Sequence, residues 1–250
     1  MEMAQDRSGF LIEKHEEHGD VFVSRALLRD LMFVRDPALV YGINVTHWAD
    51  FYNPDYIKMM WKPFLGEGLV PNDGESWKRQ HKLILPGFHK KRVDAYADTM
   101  VEFTERMLSR WREGERRDMR LELNGLALEV VANTLFDIDI GKEDSKTIRD
   151  AIGEVSEILV TDADKMIPSP DWWPTADNRR KQRAIAEIEK IIARVHQDRL
   201  ENQEDRGDLF SHMVFVEDEQ GPMSDKQLRD EAMTLIFAGH ETTAHALTWT

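Results

Sequence analysis

The pattern of apolar and polar positions changes period along the chain. Val21 to Val34 sets β-branched and aromatic residues among charges, which predicts two short strands. Asp36-Pro37 predicts a short helix to about Ile43, with proline in its first turn. Residues 44–76 keep no period and predict loop. Yet they carry Trp48, Phe51, Tyr52, Tyr56, Trp61 and Phe64, too many aromatic rings for a bare surface loop, and are expected to fold over something apolar. From Trp77 onward helix dominates. Val93, Tyr96, Met100, Val101, Thr104, Met107, Leu108 and Trp111 recur at three and four and predict one apolar face, with Gly114 as its stop. Leu123, Leu126, Ala127, Val130, Val131 and Leu135 predict another helix, and residues 145–160 a third.

A connection rich in proline and tryptophan follows, Pro168-Ser169-Pro170-Asp171-Trp172-Trp173-Pro174. A long helix is then predicted from about Asn178 to Leu200, along Ile185, Ile188, Ile191, Ile192 and Val195. Gly207 to Val216 reads as a short helix and Gly221-Pro222 as a turn. Ser224 with Gln227 fits a capping box. Leu228, Ala232, Leu235, Ile236, Gly239, Thr243 and Leu247 carry an apolar face to the last residue, Thr250. The predicted fold class is mainly α with a small β-sheet near the N-terminus, and no shift in composition marks a domain boundary.

Charge narrows the function. The chain of 250 residues has 33 lysines and arginines against 47 aspartates and glutamates, a formal charge of −14. Nucleic acid and anionic membrane both repel such a chain. It contains no cysteine. That excludes disulfides, cysteine-ligated zinc, iron–sulfur clusters and any thiolate ligand supplied by these residues. The polar start from Met1 to Asp20 has no signal-peptide pattern, and no apolar run nears the roughly 20 residues that span a bilayer. A cytoplasmic location with no membrane anchor is therefore expected. Asn44-Val45-Thr46 fits a glycosylation acceptor, but nothing suggests secretion.

Two clusters carry candidate chemistry. The first is Gly239-His240-Glu241-Thr242-Thr243-Ala244-His245 on the last helix. Two histidines four apart would suit zinc, but His240 and His245 are five apart, about 140° around a regular helix. No metal site is predicted. Gly239 weakens the helix by about 1 kcal/mol relative to alanine, and the threonines can bond back to earlier carbonyls. An acid and an alcohol at an opened turn could pass protons to a ligand. Alternatively Glu241 is solvated or paired and the threonines simply pack. The second cluster is Trp77-Lys78-Arg79-Gln80-His81-Lys82. Trp77 and His81, four apart, share a helix face and could both donate to one anion; a packed helix end is the plainer reading. Lys78, Arg79, Lys82, Lys90, Lys91 and Arg92 form either a docking face for an acidic partner or an ordinary solvated surface.

In order along the chain, these segments resemble the cytochrome P450 superfamily, the haem-thiolate monooxygenases. Phe64-Leu65-Gly66-Glu67-Gly68-Leu69-Val70 and Asp73-Gly74-Glu75-Ser76-Trp77 resemble the approach to the family's helix C. Trp77 to Phe88 resembles that helix, with Pro86, Phe88 and His89 at its end. Trp173-Pro174-Thr175 with Asn178-Arg179 resembles a stretch between helices F and G. Leu228-Arg229-Asp230-Glu231 and Ala238-Gly239-His240-Glu241-Thr242-Thr243 resemble helix I.

The resemblance implies roles. Trp77 would hydrogen-bond a propionate of a b-type haem, and His81, where the family often has arginine, could donate to it too. Ala238 and Gly239 would lie beside the oxygen-binding face of the haem. Thr242 would hydrogen-bond oxygen, and Glu241 would help relay protons. Residues of about 52–70 and 160–175 would flank a pocket for a bulky lipophilic substrate. The basic patch would dock a ferredoxin, flavodoxin or reductase domain. The implied activity inserts one atom of O2 into that substrate with electrons from the redox partner.

Two departures qualify this. The family's axial cysteine is absent, and the chain ends within the segment that resembles helix I. Residues 1–250 thus read as an incomplete domain of the family. Alone they are expected to be catalytically inactive, with an unpartnered apolar face that favours aggregation. The alternative function is a truncated helical fragment with no chemistry of its own.

Overall fold

The computed structural model describes residues 6–26, 29–137, 142–164, 172–203 and 205–250. It divides into two compact units, Met1–Tyr52 and Asn53–Thr250.

In the first unit, helix α1 (Arg7–His18) precedes an antiparallel pair, β1 (Val21–Ala26) and β2 (Arg29–Val34). Asp6 caps α1 by accepting from the Gly9 N–H at 2.8 Å, and Gly19 ends it at φ +89°. The strand register sets Phe22 opposite Phe33, and their rings stack at 4.9 Å. His15 closes the small core, edge-on to Phe22 at 4.8 Å. The two strands match the sequence pattern. Helix α1 does not: its pattern is mostly charged, with too few apolar positions to announce a face. Asp36 caps α2 (Pro37–Tyr41), which continues as a π turn over Gly42–Thr46.

The second unit is helical. Its elements are α3 (Asp55–Leu65), α4 (Gly74–Ile84), α5 (Lys90–Leu108), α6 (Met119–Phe136), α7 (Lys142–Asp164), α8 (Ala176–Asn202), α9 (Leu209–Phe215) and α10 (Asp225–Trp249). Between α9 and α10, β3 (Glu217–Asp218) pairs with β4 (Gly221–Pro222), so Gly221-Pro222 belongs to a minimal hairpin and not to its turn. The core joins Phe64, Leu65, Leu83, Ile84, Leu128, Ile152, Ile188, Phe210, Met213 and Met233. Ile185, Ile188, Ile191, Ile192 and Val195 are all buried, as their spacing predicts.

Three readings are corrected. Residues 55–65 are helix, and Trp61 and Phe64 pack against Phe237 of α10 at 5.1 and 5.4 Å between ring centroids. Trp48, Phe51, Tyr52 and Tyr56 remain exposed. On α5 the buried face runs through Phe103 and Met107, while Val93, Met100, Val101 and Leu108 are exposed. On α10, Thr243 and Leu247 are exposed, and burial surrounds the helix at Leu228, Asp230–Thr234 and Ile236. Ser224 forms the complete capping box with Gln227.

Candidate functional site

The sequence-selected residues stand on two helices. On α4, the Trp77 and His81 rings stack at 4.8 Å and 20°, both half-buried. The spacing of four that selected them therefore holds in space. On α10 stand Ala238, Gly239, Glu241 and Thr242, with Thr242 and Ala238 exposed. The helix is continuous here, so no turn opens at Gly239. Glycine serves a different purpose: a Cβ at Gly239 would lie 3.1 Å from Val131 of α6, so the missing side chain lets the two helices approach. Thr242 Oγ1 donates to the Ala238 carbonyl at 2.7 Å, a back-bond that spends the hydroxyl's hydrogen and leaves both oxygen lone pairs free to accept.

Neighbouring helices hold the turn. Ser156 of α7 donates to Glu241 Oε2 at 3.2 Å. His240 is buried, and its Nε2 lies 2.9 Å from Asn124 Oδ1 of α6. Because that oxygen only accepts, the proton sits on Nε2. Burial, and then the positive charge of Arg149, push the His240 pKa down to about 4, so the ring is neutral. His245 is exposed, and among the described residues no group of three or more metal-ligating side chains exists.

A third constellation lies at the start of α10. Asp230 Oδ2 accepts from the Glu67 backbone N–H at 2.9 Å, and Glu231 Oε2 accepts from that of Leu69 at 3.1 Å. Lys226 and Arg229 pair with Asp230 at 2.7 and 2.9 Å. Glu231 Oε1 is buried with no hydrogen-bond partner. Burial lifts the Glu231 carboxyl to about 7; the Leu69 N–H opposes this, and the Asp230 charge adds to it. Gly66 sits at φ +59°, and a Cβ there would fall 2.0 Å from the Asp230 carboxylate. A Cβ at Gly68 would fall 2.6 Å from the Asp230 carbonyl. Sequence periodicity gave no role to this pair of acids. The available signal was two adjacent carboxylates among apolar helix positions, facing a Gly-x-Gly loop.

The basic patch is largely engaged within the protein. Lys78 pairs with Glu75, Lys90 with Asp94, and Arg79 makes a two-pronged pair with Asp218 at 2.9 and 3.0 Å. Arg92 donates to the carbonyls of Gly207 and Asp208. Lys82 and Lys91 are exposed. A cleft of about 330 Å³ beside α3 is lined by Lys58, Lys62, Gly66, Glu67, Pro71, Asn72 and Ser76. Of residues 160–175, 165–171 lie outside the described set; Trp172 and Trp173 stack at 5.6 Å and are exposed.

The family model described as Cytochrome P450 matches residues 2–250. Cyclooctatin synthase of Streptomyces melanosporofaciens is 33% identical over 93% of this chain and 51% of its own length. Cyclooctat-9-en-7-ol 5-monooxygenase of the same organism is 29% identical over 74% of this chain and 41% of its own. A solved structure described as retinoic acid bound cyanobacterial CYP120A1 superposes with a TM-score of 0.78 at 19% identity, covering 97% of this chain and 54% of that one. The chain thus spans about half the length of the relatives it matches. Among the described residues no helix is long and apolar enough to cross a membrane.

Proposed function

From the premise that this chain belongs to the cytochrome P450 family, shown by the match over residues 2–250, we propose that it forms the oxygen-side and propionate-side portion of a haem-thiolate monooxygenase acting on a lipophilic organic substrate. The observation that carries the reading is the exposed Thr242 hydroxyl beside Glu241 on a helix fixed from both sides by Asn124 and Ser156.

The donor set suits part of a haem. Two N–H-bearing rings on one face of α4, Trp77 and His81, match the carboxylates of its propionates. Exposed Ala238 carries no bulky side chain, which allows a flat ligand close to α10, whereas Gly239 is packed against Val131 of α6. No residue of this chain could supply a thiolate to a haem held here. When bound, a haem-thiolate supplies the redox chemistry that activates O2. The chain's own residues would hold, orient and supply protons. Thr242, bonded back to Ala238, keeps its oxygen in one place as acceptor. Glu241, held by Ser156, is an acid one residue away through which solvent protons pass.

The substrate class follows the relatives: one is named for a cyclic alkenol, and the solved neighbour holds retinoic acid. Electrons would come from a ferredoxin, flavodoxin or reductase domain. Lys82 and Lys91 stand exposed, whereas Lys78, Arg79, Lys90 and Arg92 are engaged within the protein, so the docking face is narrower than the sequence suggests. The incomplete domain of residues 1–250 and a cytoplasmic location belong to the same proposal. The test is turnover, with a ferredoxin–reductase pair, of a haem-loaded protein in which these residues stand together with a thiolate-bearing remainder. Thr242→Ala is expected to lower product formed per electron at least tenfold, and Glu241→Gln to slow turnover. Undiminished coupling in Thr242→Ala would overturn the reading.

A further inference from the structure

We propose that Asp230 and Glu231 are positioning residues for the Trp77–His81 pair, acting through the Gly66–Leu69 loop and Asn72. The proposal rests on reading Trp77 and His81 as carboxylate donors.

The two acids grip the loop by its backbone. Consecutive side chains on α10 take the N–H groups of Glu67 and Leu69, residues more than 160 positions away in sequence. Gly66 and Gly68 press so closely on Asp230 and Thr234 that no side chain fits between. Arg229 adds a bond to the Phe64 carbonyl at 3.1 Å and ties the assembly to Glu189 of α8. Asn72 then passes the loop's position to α4. Its Nδ2 lies within 3.1 Å of the Glu67 carbonyl, Ser76 Oγ and Gln80 Oε1. Ser76 and Gln80 are one turn apart and directly precede Trp77 and His81 in sequence. Asn53 steadies the same loop by donating to the carbonyls of Val70 and Asn72.

Arg79 fixes α4 from another direction through Asp218 and the Gly221 carbonyl. The rotation of α4, and with it the aim of both rings, is therefore set by Asn72 on one side and Arg79 on the other. Asp230 and Glu231 share one continuous helix with Glu241 and Thr242. The contact network thus references the carboxylate-binding rings to the helix that carries the acid and the alcohol.

The test uses the ligand-free protein, with amide exchange at Glu67 and Leu69 and the NMR signals of the Trp77 indole N–H and the His81 ring. Glu231→Leu is expected to speed exchange at both amides at least tenfold and to move both ring signals. Glu231→Gln keeps an oxygen for Leu69 and is expected to restore them. Asn72→Ala, which leaves the acids in place, is expected to move the ring signals while the two amides stay protected. It also serves if Glu231→Leu does not fold. Ring signals unmoved in Asn72→Ala, or Glu231→Gln behaving like Glu231→Leu, would overturn the proposal. The haem reading fails separately, through Trp77→Phe and His81→Leu variants that take up haem as well as the parent protein.

Discussion

Replacing Glu231 by glutamine removes one titrating group from a buried place, and the consequence for stability has a definite sign. The folded carboxyl titrates at about 7 against an ordinary 4.5. Between those values the native protein holds a proton that the unfolded chain releases, so stability falls as pH rises. The stabilisation is fully present below pH 4.5 and lost as pH passes 7. The two values differ by an amount equivalent to about 3 kcal/mol. Asp230 faces the carboxyl as a second negative charge, and Leu69 supplies the opposing N–H. Glutamine has no proton to lose there. The stability of Glu231→Gln minus that of the parent is therefore expected to rise by about 3 kcal/mol from pH 4.5 to 7 and to be level on either side. Urea unfolding at half-unit pH intervals reads this directly. With a slope near 3 kcal/mol per M, the midpoints separate by roughly 1 M. Other carboxylates cancel in the difference, and any fixed cost of the amide shifts the curve without tilting it. A level difference across this range, or one that falls with pH, would refute the assignment.

His240 gives the opposite slope. Its folded value of about 4 lies below the ordinary 6.5, so the parent gains stability as pH rises through that interval. The difference between His240→Gln and the parent should fall by about 3 kcal/mol from pH 4 to 6.5 in the same urea series. Gly68→Ala drives a Cβ against the Asp230 backbone and is expected to lower stability by about 2–3 kcal/mol. Gly239→Ala needs Val131 to yield only a few tenths of an ångström and gains helix propensity, so thermal unfolding should place it within about 1 kcal/mol of the parent. Arg199 is buried and donates to Ser211, the Phe136 carbonyl and Asp208; Arg199→Met strands the buried Asp208 and should cost about 3–5 kcal/mol by urea unfolding.

Long helices with one clean apolar stripe were legible in the sequence. The isoleucine ladder of α8 and the Ser224 capping box both stand where their spacing puts them. Helix α3 was not, because Pro54 and Pro63 bracket its aromatic residues and read as loop punctuation. On α5 too many apolar residues compete, and packing selects Phe103 and Met107 over Met100 and Val101. The stacked pair Trp77–His81 follows from a spacing of four. The partners Asn124, Ser156 and Asn72 do not, since each meets its target across 85 or more positions, or through a loop whose course no local pattern sets. The buried Asp230 and Glu231 defeat any rule that sends carboxylates to the surface; beside Lys226 and Arg229, they hold the backbone amides of Glu67 and Leu69, which a sequence cannot display.

The central claim is that α4 presents donors for haem carboxylates while these 250 residues supply no axial thiolate. The most direct measurement is an absorbance titration of the protein with haem and with its dimethyl ester, in the parent, Trp77→Phe and His81→Leu. Free-acid haem is expected to bind at least tenfold more tightly than the ester, and both substitutions to abolish that preference. Equal binding of the acid and the ester in the parent protein would contradict it.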